Sequence, residues 1–180
     1  SYPKNIYASG GRALNFIDFA YNGENSDIDD HAFVIIEYQN GIKANFTLNM
    51  FCPDFSEELM LCAEKGRIIS SEKYSPKNDG YSNARIQIEL GEEGSSRDSM
   101  VSYPSEIEKS GHHGATFFEH IELIKKLNGE PSNSATVTEG LWSVVIAGAA
   151  QKSIETGSQI DVDDYLEKKK LSWIINHKNN

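Results

Sequence analysis

The sequence lacks the features of several large protein classes. Two cysteines in 180 residues, Cys52 and Cys62, are too few for a disulfide framework. Both lie in apolar, strand-like surroundings, so we expect buried thiols and a cytoplasmic protein. No apolar run reaches the roughly 20 residues of a membrane-spanning helix, and the first ten residues do not resemble a signal peptide.

Positive charge is also scarce. Lysine and arginine number 17 against 27 acidic residues, which gives a formal net charge of -10. A negative field of this size repels nucleic-acid phosphates and anionic lipid headgroups. We therefore expect neither nucleic acid nor a membrane among the partners.

The common signatures of cofactor binding and catalysis are missing as well. The sequence has no G-x-G-x-x-G turn and no G-x-x-x-x-G-K-[ST] loop, the usual backbone cradles for cofactor phosphates. It also has no H-E-x-x-H, paired C-x-x-C or G-x-S-x-G motif. We predict that this chain holds no catalytic residues, no cofactor-binding residues and no metal site of its own.

What the first part of the chain does contain is a strand pattern. From about Lys4 to Pro104 apolar and polar residues alternate with a period of two, most clearly from Ile42 to Met50. Gln39-Asn40-Gly41 favours a tight type I′ hairpin between that strand and the strand from His31 to Tyr38. Further strands are predicted at Ile6–Ala8, Glu58–Ala63, Arg67–Ser71 and Arg85–Leu90, and solvated loops at Tyr21–Asp30 and Lys73–Asn83.

After Gly111 the period becomes helical. Apolar residues from Phe117 to Leu127 predict an amphipathic helix that lies on the sheet. Thr136-Val-Thr-Glu139 is a capping box that opens a second helix, central and buried, and Gly157 ends it. A short closing strand with Ile160 and Val162 is expected before a charged tail.

Strands followed by helices predict an α+β fold. We expect a large, mostly antiparallel β-sheet with helices packed on one face, as a single domain over residues 1–180. Because the helices cover one face only, the other sheet face is expected to form a homo-oligomer.

The densest polar group precedes the first long helix and is Gly111-His112-His113-Gly114-Ala115-Thr116. Two imidazoles on a glycine-flanked turn can point outward and hydrogen-bond a polyhydroxylated ligand. The alternative is a turn that only caps the helix through Thr116 or His113. Arg12 can bind a substrate carboxylate or phosphate bidentately, or it is simply an exposed arginine. Glu57-Glu58 is interpreted as a solvated strand end.

Four segments together resemble the C-terminal domain of the Gfo/Idh/MocA (glucose-fructose oxidoreductase and inositol dehydrogenase) family. In the family's order they are Asp30–Gly41, Glu58–Gly66, Gly111–Thr116 and Glu139–Gly157. The resemblance implies a parent enzyme in which a Rossmann domain holds NAD or NADP and hydride is exchanged with a sugar, cyclitol or related polyol. The Rossmann half and the family's catalytic lysine and histidine have no counterpart in this chain, which is therefore expected to be inactive alone.

The family's Gly-His-Gly-Gly-(Ala/Gly)-Asp motif matches at Gly111, His112, Gly114 and Ala115 and departs at His113 and Thr116. The resemblance implies that His112 and His113 face the active-site cleft and position substrate hydroxyls. The candidate substrate-binding residues are His112, His113, Thr116 and Arg12. A second hypothesis is a stand-alone, non-catalytic sugar-binding or dimerisation module with the same fold.

Overall fold

The computed structural model describes residues 1–52, 54–74, 82–91 and 94–176. The strands are β1 (Pro3–Gly11), β2 (Ala20–Tyr21), β3 (Glu24–Asn25), β4 (His31–Tyr38), β5 (Lys43–Asn49), β6 (Phe55–Ala63), β7 (Gly66–Tyr74), β8 (Ser82–Leu90), β9 (Arg97–Val101) and β10 (Ile160–Asp161). The helices are α1 (Ser105–Glu108), α2 (Ala115–Leu127), α3 (Val137–Thr156), α4 (Val162–Lys168) and α5 (Trp173–Asn176), with a 3₁₀ turn at His112–Gly114.

Contacts divide the chain into two compact units. The first consists of Ser1–Phe51 with Ala135–Asn180, and the second of Cys52–Ser134. The first unit has a four-stranded sheet in the order β10-β1-β4-β5 and the short ribbon β2-β3, and the second has a four-stranded sheet in the order β6-β7-β8-β9. The described strand pairs are antiparallel, so the α+β class and the antiparallel pairing are confirmed. The single domain over residues 1–180 stays a prediction.

The core of the first unit lies on one face of its sheet. The register pairs Ile6 with Ile36 and Ala8 with Val34, so four buried apolar side chains share that face. The side chain of Ser153 is also buried, and its Oγ accepts a hydrogen bond from the Ala8 amide at 2.8 Å, which ties α3 to β1. The helices contribute to this core Val145, Ala149, Ala150, Val162, Leu166 and Ile174.

The capping box predicted for α3 is present. The Thr136 side chain accepts a hydrogen bond from the Glu139 amide at 3.2 Å, and the Glu139 carboxylate accepts one from the Thr136 amide at 2.7 Å. Gly157 ends the helix in the left-handed conformation, with a φ of 64°. The helix is not buried all round, however, because Val144 on its other side is 69% exposed.

Three other expectations for the first unit need correction. The turn between β4 and β5 is a three-residue loop with left-handed Gly41 (φ 85°), and Asn40 does not have the positive φ of a type I′ turn. The predicted loop Tyr21–Asp30 contains β3 and ends at Asp30, which is fully buried. The charged tail is helical from Val162, and apolar side chains spaced along it join the core.

The second unit is more exposed than its pattern predicts. The strands β6, β7 and β8 and the helix α2 lie where expected, but no residue of α2 is buried. Cys52 and Cys62 are both exposed, so the expectation of buried thiols is wrong for this chain. Most of the predicted loop Lys73–Asn83 lies outside the described residues. Among the described helices, none has the length and apolarity needed to cross a membrane.

Candidate functional site

The histidine turn has a strained backbone. Four consecutive residues have positive φ: Gly111 (105°), His112 (44°), His113 (51°) and Gly114 (95°). An added Cβ at Gly114 would lie 2.8 Å from Ile107 Cγ2, so a side chain does not fit there. Left-handed conformations disfavour L side chains, although histidine is among the residues more often found in them. Strain of this kind concentrates at binding and catalytic sites.

His113 is packed between α1 and β9. Its side chain is 8% exposed, and its Nε2 lies 3.6 Å from Glu108 Oε1 and 3.5 Å from the carbonyl oxygen of Val101. The same Glu108 oxygen accepts a hydrogen bond from the Tyr103 amide at 2.9 Å. The Tyr103 ring centroid lies 6.3 Å from that of His113. The surroundings of His113 therefore fix its ring in place.

His112 is the exposed member of the pair. Its ring packs edge-on against Phe55 of β6 at a centroid distance of 6.2 Å. No described residue hydrogen-bonds its ring nitrogens. A neutral imidazole carries one donor and one acceptor, so this ring can serve two hydroxyls of a ligand.

Thr116 lies one turn further on, in α2. Its carbonyl oxygen accepts a hydrogen bond from His120 Nδ1 at 2.7 Å. The N-cap of α2 is Gly114, and no side chain in the described part of the chain makes a cap hydrogen bond there. The structure therefore does not provide the helix-capping role that was the alternative interpretation of this turn.

A groove of about 470 Å³ runs along the sheet of the second unit and includes both histidines. This volume falls within the range of small-molecule sites. It is lined by Glu57, Glu58, Leu59, Ser70, Ser71, Glu72, Ala84, Arg85, Ile86, Val101, Tyr103, His112, His113, Ala115 and Phe118. Of the four substrate-binding candidates predicted from sequence, His112 and His113 line the groove, whereas Thr116 and Arg12 are not in its lining. Glu57-Glu58, interpreted from sequence as a solvated strand end, is part of the lining.

Arg12 belongs to the first unit. It is exposed, and its Nη1 donates to the carbonyl oxygen of Ser26. The described contacts therefore give Arg12 a partner in its own loop, and its proposed role toward substrate stays a prediction.

In the loop that follows Arg12, the residue that sequence reasoning missed is Asp30. Its carboxylate accepts hydrogen bonds from the Leu14 and Asn15 amides at 2.8 Å and 2.7 Å and from the Ala13 amide at 3.0 Å. His31 Nδ1 lies 2.8 Å away on the same carboxylate. Burial raises the pKa of Asp30, but the hydrogen bonds from His31 and the three amides outweigh burial and hold the pKa well below its ordinary value of 3.8. Asp30 thus fixes the loop that follows Arg12.

Most of the chain matches a known protein family. The model GFO_IDH_MocA_C, described as the oxidoreductase family C-terminal alpha/beta domain, matches residues 12–162. The chain belongs to this family. The resemblance inferred from the four sequence segments is confirmed.

Solved structures of the Gfo/Idh/MocA fold are similar to the chain. Levoglucosan dehydrogenase in complex with NADH and levoglucosan is 14% identical with a TM-score of 0.63, over 89% of this chain and 45% of that protein. Aldose-aldose oxidoreductase from Caulobacter crescentus complexed with glycerol is 13% identical with a TM-score of 0.55, over 89% and 41%. A super-repressor mutant of Gal80p from Saccharomyces cerevisiae is 12% identical with a TM-score of 0.55, over 90% and 45%.

These comparisons establish the fold. The chain spans less than half the length of each of these three solved proteins. None of the curated proteins matches the chain in sequence. Structures similar to this Gfo/Idh/MocA domain include oxidoreductases bound to NAD(H), which supports NAD as the cofactor of the parent family.

Proposed function

We propose that the chain is the substrate-binding and oligomerisation domain of a NAD(P)-dependent oxidoreductase that acts on a sugar, cyclitol or related polyol. The observation that carries the proposal is the strained His112-His113 turn at the edge of the 470 Å³ groove. Levoglucosan dehydrogenase and the aldose-aldose oxidoreductase, whose structures are similar, support a polyol substrate. We also propose a cytoplasmic homo-oligomer.

We propose that the nicotinamide cofactor is held by the rest of the parent enzyme. A dinucleotide pyrophosphate needs a glycine turn that leads from a strand into a helix. The glycine pair at the end of β1, Gly10-Gly11, leads into a loop instead. We therefore assign the cofactor and the proton-transfer residues to the rest of the parent enzyme, where the nicotinamide supplies hydride transfer.

The role left to this chain is to bind and orient the substrate. His112 offers an exposed donor and acceptor, while the packed ring of His113 keeps the turn in one conformation. Orientation of a hydroxyl-bearing carbon toward the nicotinamide lowers the entropic cost of the reaction. Neither ring needs to change its protonation state for this purpose.

A second candidate is a non-catalytic module. The similarity to the Gal80p super-repressor mutant favours it, because a protein named as a repressor has the same fold. A module of this kind would bind a sugar or a second copy of itself without a redox reaction.

The complete gene product tests the two candidates. With polyols as substrates it should reduce NAD or NADP. His112→Ala should lower kcat/KM about tenfold, the value of one lost hydrogen bond, while the Kd for the dinucleotide is unchanged. His113→Ala should also lower kcat/KM, because the turn that positions His112 is no longer held in one conformation. His120→Ala, an exposed histidine on α2, is the matched control. Absence of dinucleotide reduction with every polyol would favour the non-catalytic module.

A further inference from the structure

Two carboxylates face each other across strands of the groove. Glu57 of β6 is the direct cross-strand partner of Glu72 of β7. Directly opposed residues share a sheet face with Cβ atoms about 4.5–5.5 Å apart, where like charges are destabilising. Both side chains belong to the lining of the groove that also contains His112 and His113. An unfavourable charge pair thus lies inside the candidate site.

No lysine or arginine among the described residues forms an ion pair with either carboxylate. The single lysine or arginine in the groove lining is Arg85, whose Nε and Nη2 are both bound to Asp98, the former at 2.6 Å from Oδ1. Glu57 and Glu72 themselves make no ion pair with any described residue. The local charge of the groove is therefore negative.

We infer that this groove selects a polyol that carries an amine, such as an amino sugar or amino cyclitol, and disfavours sugars with a phosphate or carboxylate. This inference rests on the proposed function and names its substrate class. An ammonium group near Glu57 and Glu72 removes their mutual repulsion, and the ligand's hydroxyls remain available to His112. A phosphate or carboxylate would add a third negative charge at the same place.

Three sugars that share one ring test the inference. Glucosamine is cationic, glucose neutral and glucuronate anionic, and each is titrated into the ¹⁵N-labelled chain while the amides of Ser70 and Ala84 report groove binding. We expect glucosamine to bind up to about fivefold more tightly than glucose, since one exposed charge contact is worth at most about this factor, and glucuronate to bind most weakly.

Matched variants attribute the preference to the carboxylate pair. The double variant Glu57→Gln, Glu72→Gln should bind glucosamine and glucose equally. Glu64→Gln, the same type of substitution in the turn of the same hairpin but outside the groove lining, removes one charge and should keep the preference. The ¹H–¹⁵N spectra of the variants confirm the fold before titration.

Several results would overturn the inference. Equal binding of glucose and glucosamine by the unmodified chain, or a preference that survives in the double variant, removes the amine specificity and leaves the polyol function standing. Magnesium chloride that shifts the same amides, and fails to do so in the double variant, would make the pair a divalent-cation site instead. Binding of none of the three sugars would overturn the inference, whereas the polyol function is tested separately by dinucleotide reduction in the complete gene product.

Discussion

Replacement of His112 by glycine and by alanine separates the imidazole from the strain of its backbone. Both variants lose the ring, but alanine keeps a Cβ at a φ of 44°, whereas glycine does not. A left-handed conformation costs an L residue roughly 1–2 kcal/mol. Glycine avoids this cost, but its greater conformational freedom in the unfolded chain offsets about 0.4–1 kcal/mol of the resulting stabilisation. His112→Gly should therefore be more stable than His112→Ala by about 1 kcal/mol.

The assay must report the second unit. Amide hydrogen exchange at Val101 and Ile86 measures the opening of its sheet. Tryptophan fluorescence reports the first unit, because both tryptophans, Trp142 and Trp173, belong to it. The fluorescence midpoint in urea should be the same in both variants, so that any difference in exchange arises in the second unit.

His120 provides a control with the opposite sign. It lies inside α2, where glycine is less favourable than alanine by roughly 1 kcal/mol. His120→Gly should therefore be the less stable variant of its pair. Equal exchange rates for His112→Gly and His112→Ala would refute the strained turn. Ligand binding that survives in either His112 variant would refute the role of its ring.

Three further predictions concern the first unit. Ser153→Ala leaves the buried Ala8 amide without its partner and should lower the free energy of unfolding by about 1–3 kcal/mol. Urea unfolding followed by tryptophan fluorescence measures this change. The control Ser143→Ala, on the exposed side of α3, should change the free energy of unfolding by less than about 0.5 kcal/mol. Because the folded pKa of Asp30 lies below its unfolded value, its contribution to stability is full above about pH 5 and is lost as the pH falls through the folded pKa. The acid-induced loss of stability should therefore be smaller in Asp30→Asn than in the unmodified chain. Equal acid sensitivity of the two proteins would contradict this prediction. Light scattering should give a mass above the monomer's 20.1 kDa. This mass should fall in the variant Phe33→Glu, because Phe33 is 54% exposed on the outer sheet face. A monomer mass at every concentration would contradict self-association.

Local signals made much of the fold predictable from sequence. The hairpin of β4 and β5 follows from an apolar strand-like run before Asn40-Gly41 and strict alternation after it. The start of α3 follows from the capping box at Thr136, and its end from Gly157. Each signal depends on residues a few positions apart, so it can be recognised in the sequence without tertiary information.

The features that sequence reasoning missed depend on distant contacts. Asp30 ends a polar segment that predicts a solvated loop, yet its carboxylate is buried because the amides of residues 13–15 surround it. Leu166 lies among charged residues and is fully buried in the core of the first unit. β9 was missed because Arg97–Val101 has only two apolar residues, and pairing with β8 fixes its conformation.

The candidate site also combines features set by neighbouring residues with features set by distant contacts. The glycine-flanked histidines are adjacent in sequence, so the turn could be identified from the residues alone. The opposition of Glu57 and Glu72 is a property of strand register, since the two residues are joined only through the β6–β7 ladder. A residue-by-residue reading therefore treats Glu57 as a solvated strand end and does not reveal the charge of the groove.

Two unfavourable features lie in the same groove, and single substitutions would relieve either one. Glycine at position 112 would release the backbone strain, and glutamine at position 57 would release the charge repulsion. In the first unit two buried polar side chains are satisfied, because the carboxylate of Asp30 has four hydrogen-bonding partners and the hydroxyl of Ser153 is paired with Ala8. The strain and the charge repulsion in the groove destabilise the free protein. A ligand that binds only the folded state offsets this destabilisation, because its binding stabilises the folded state. The strain at His112 and the opposed carboxylates of Glu57 and Glu72 therefore support our proposal that the groove of the second unit binds a ligand.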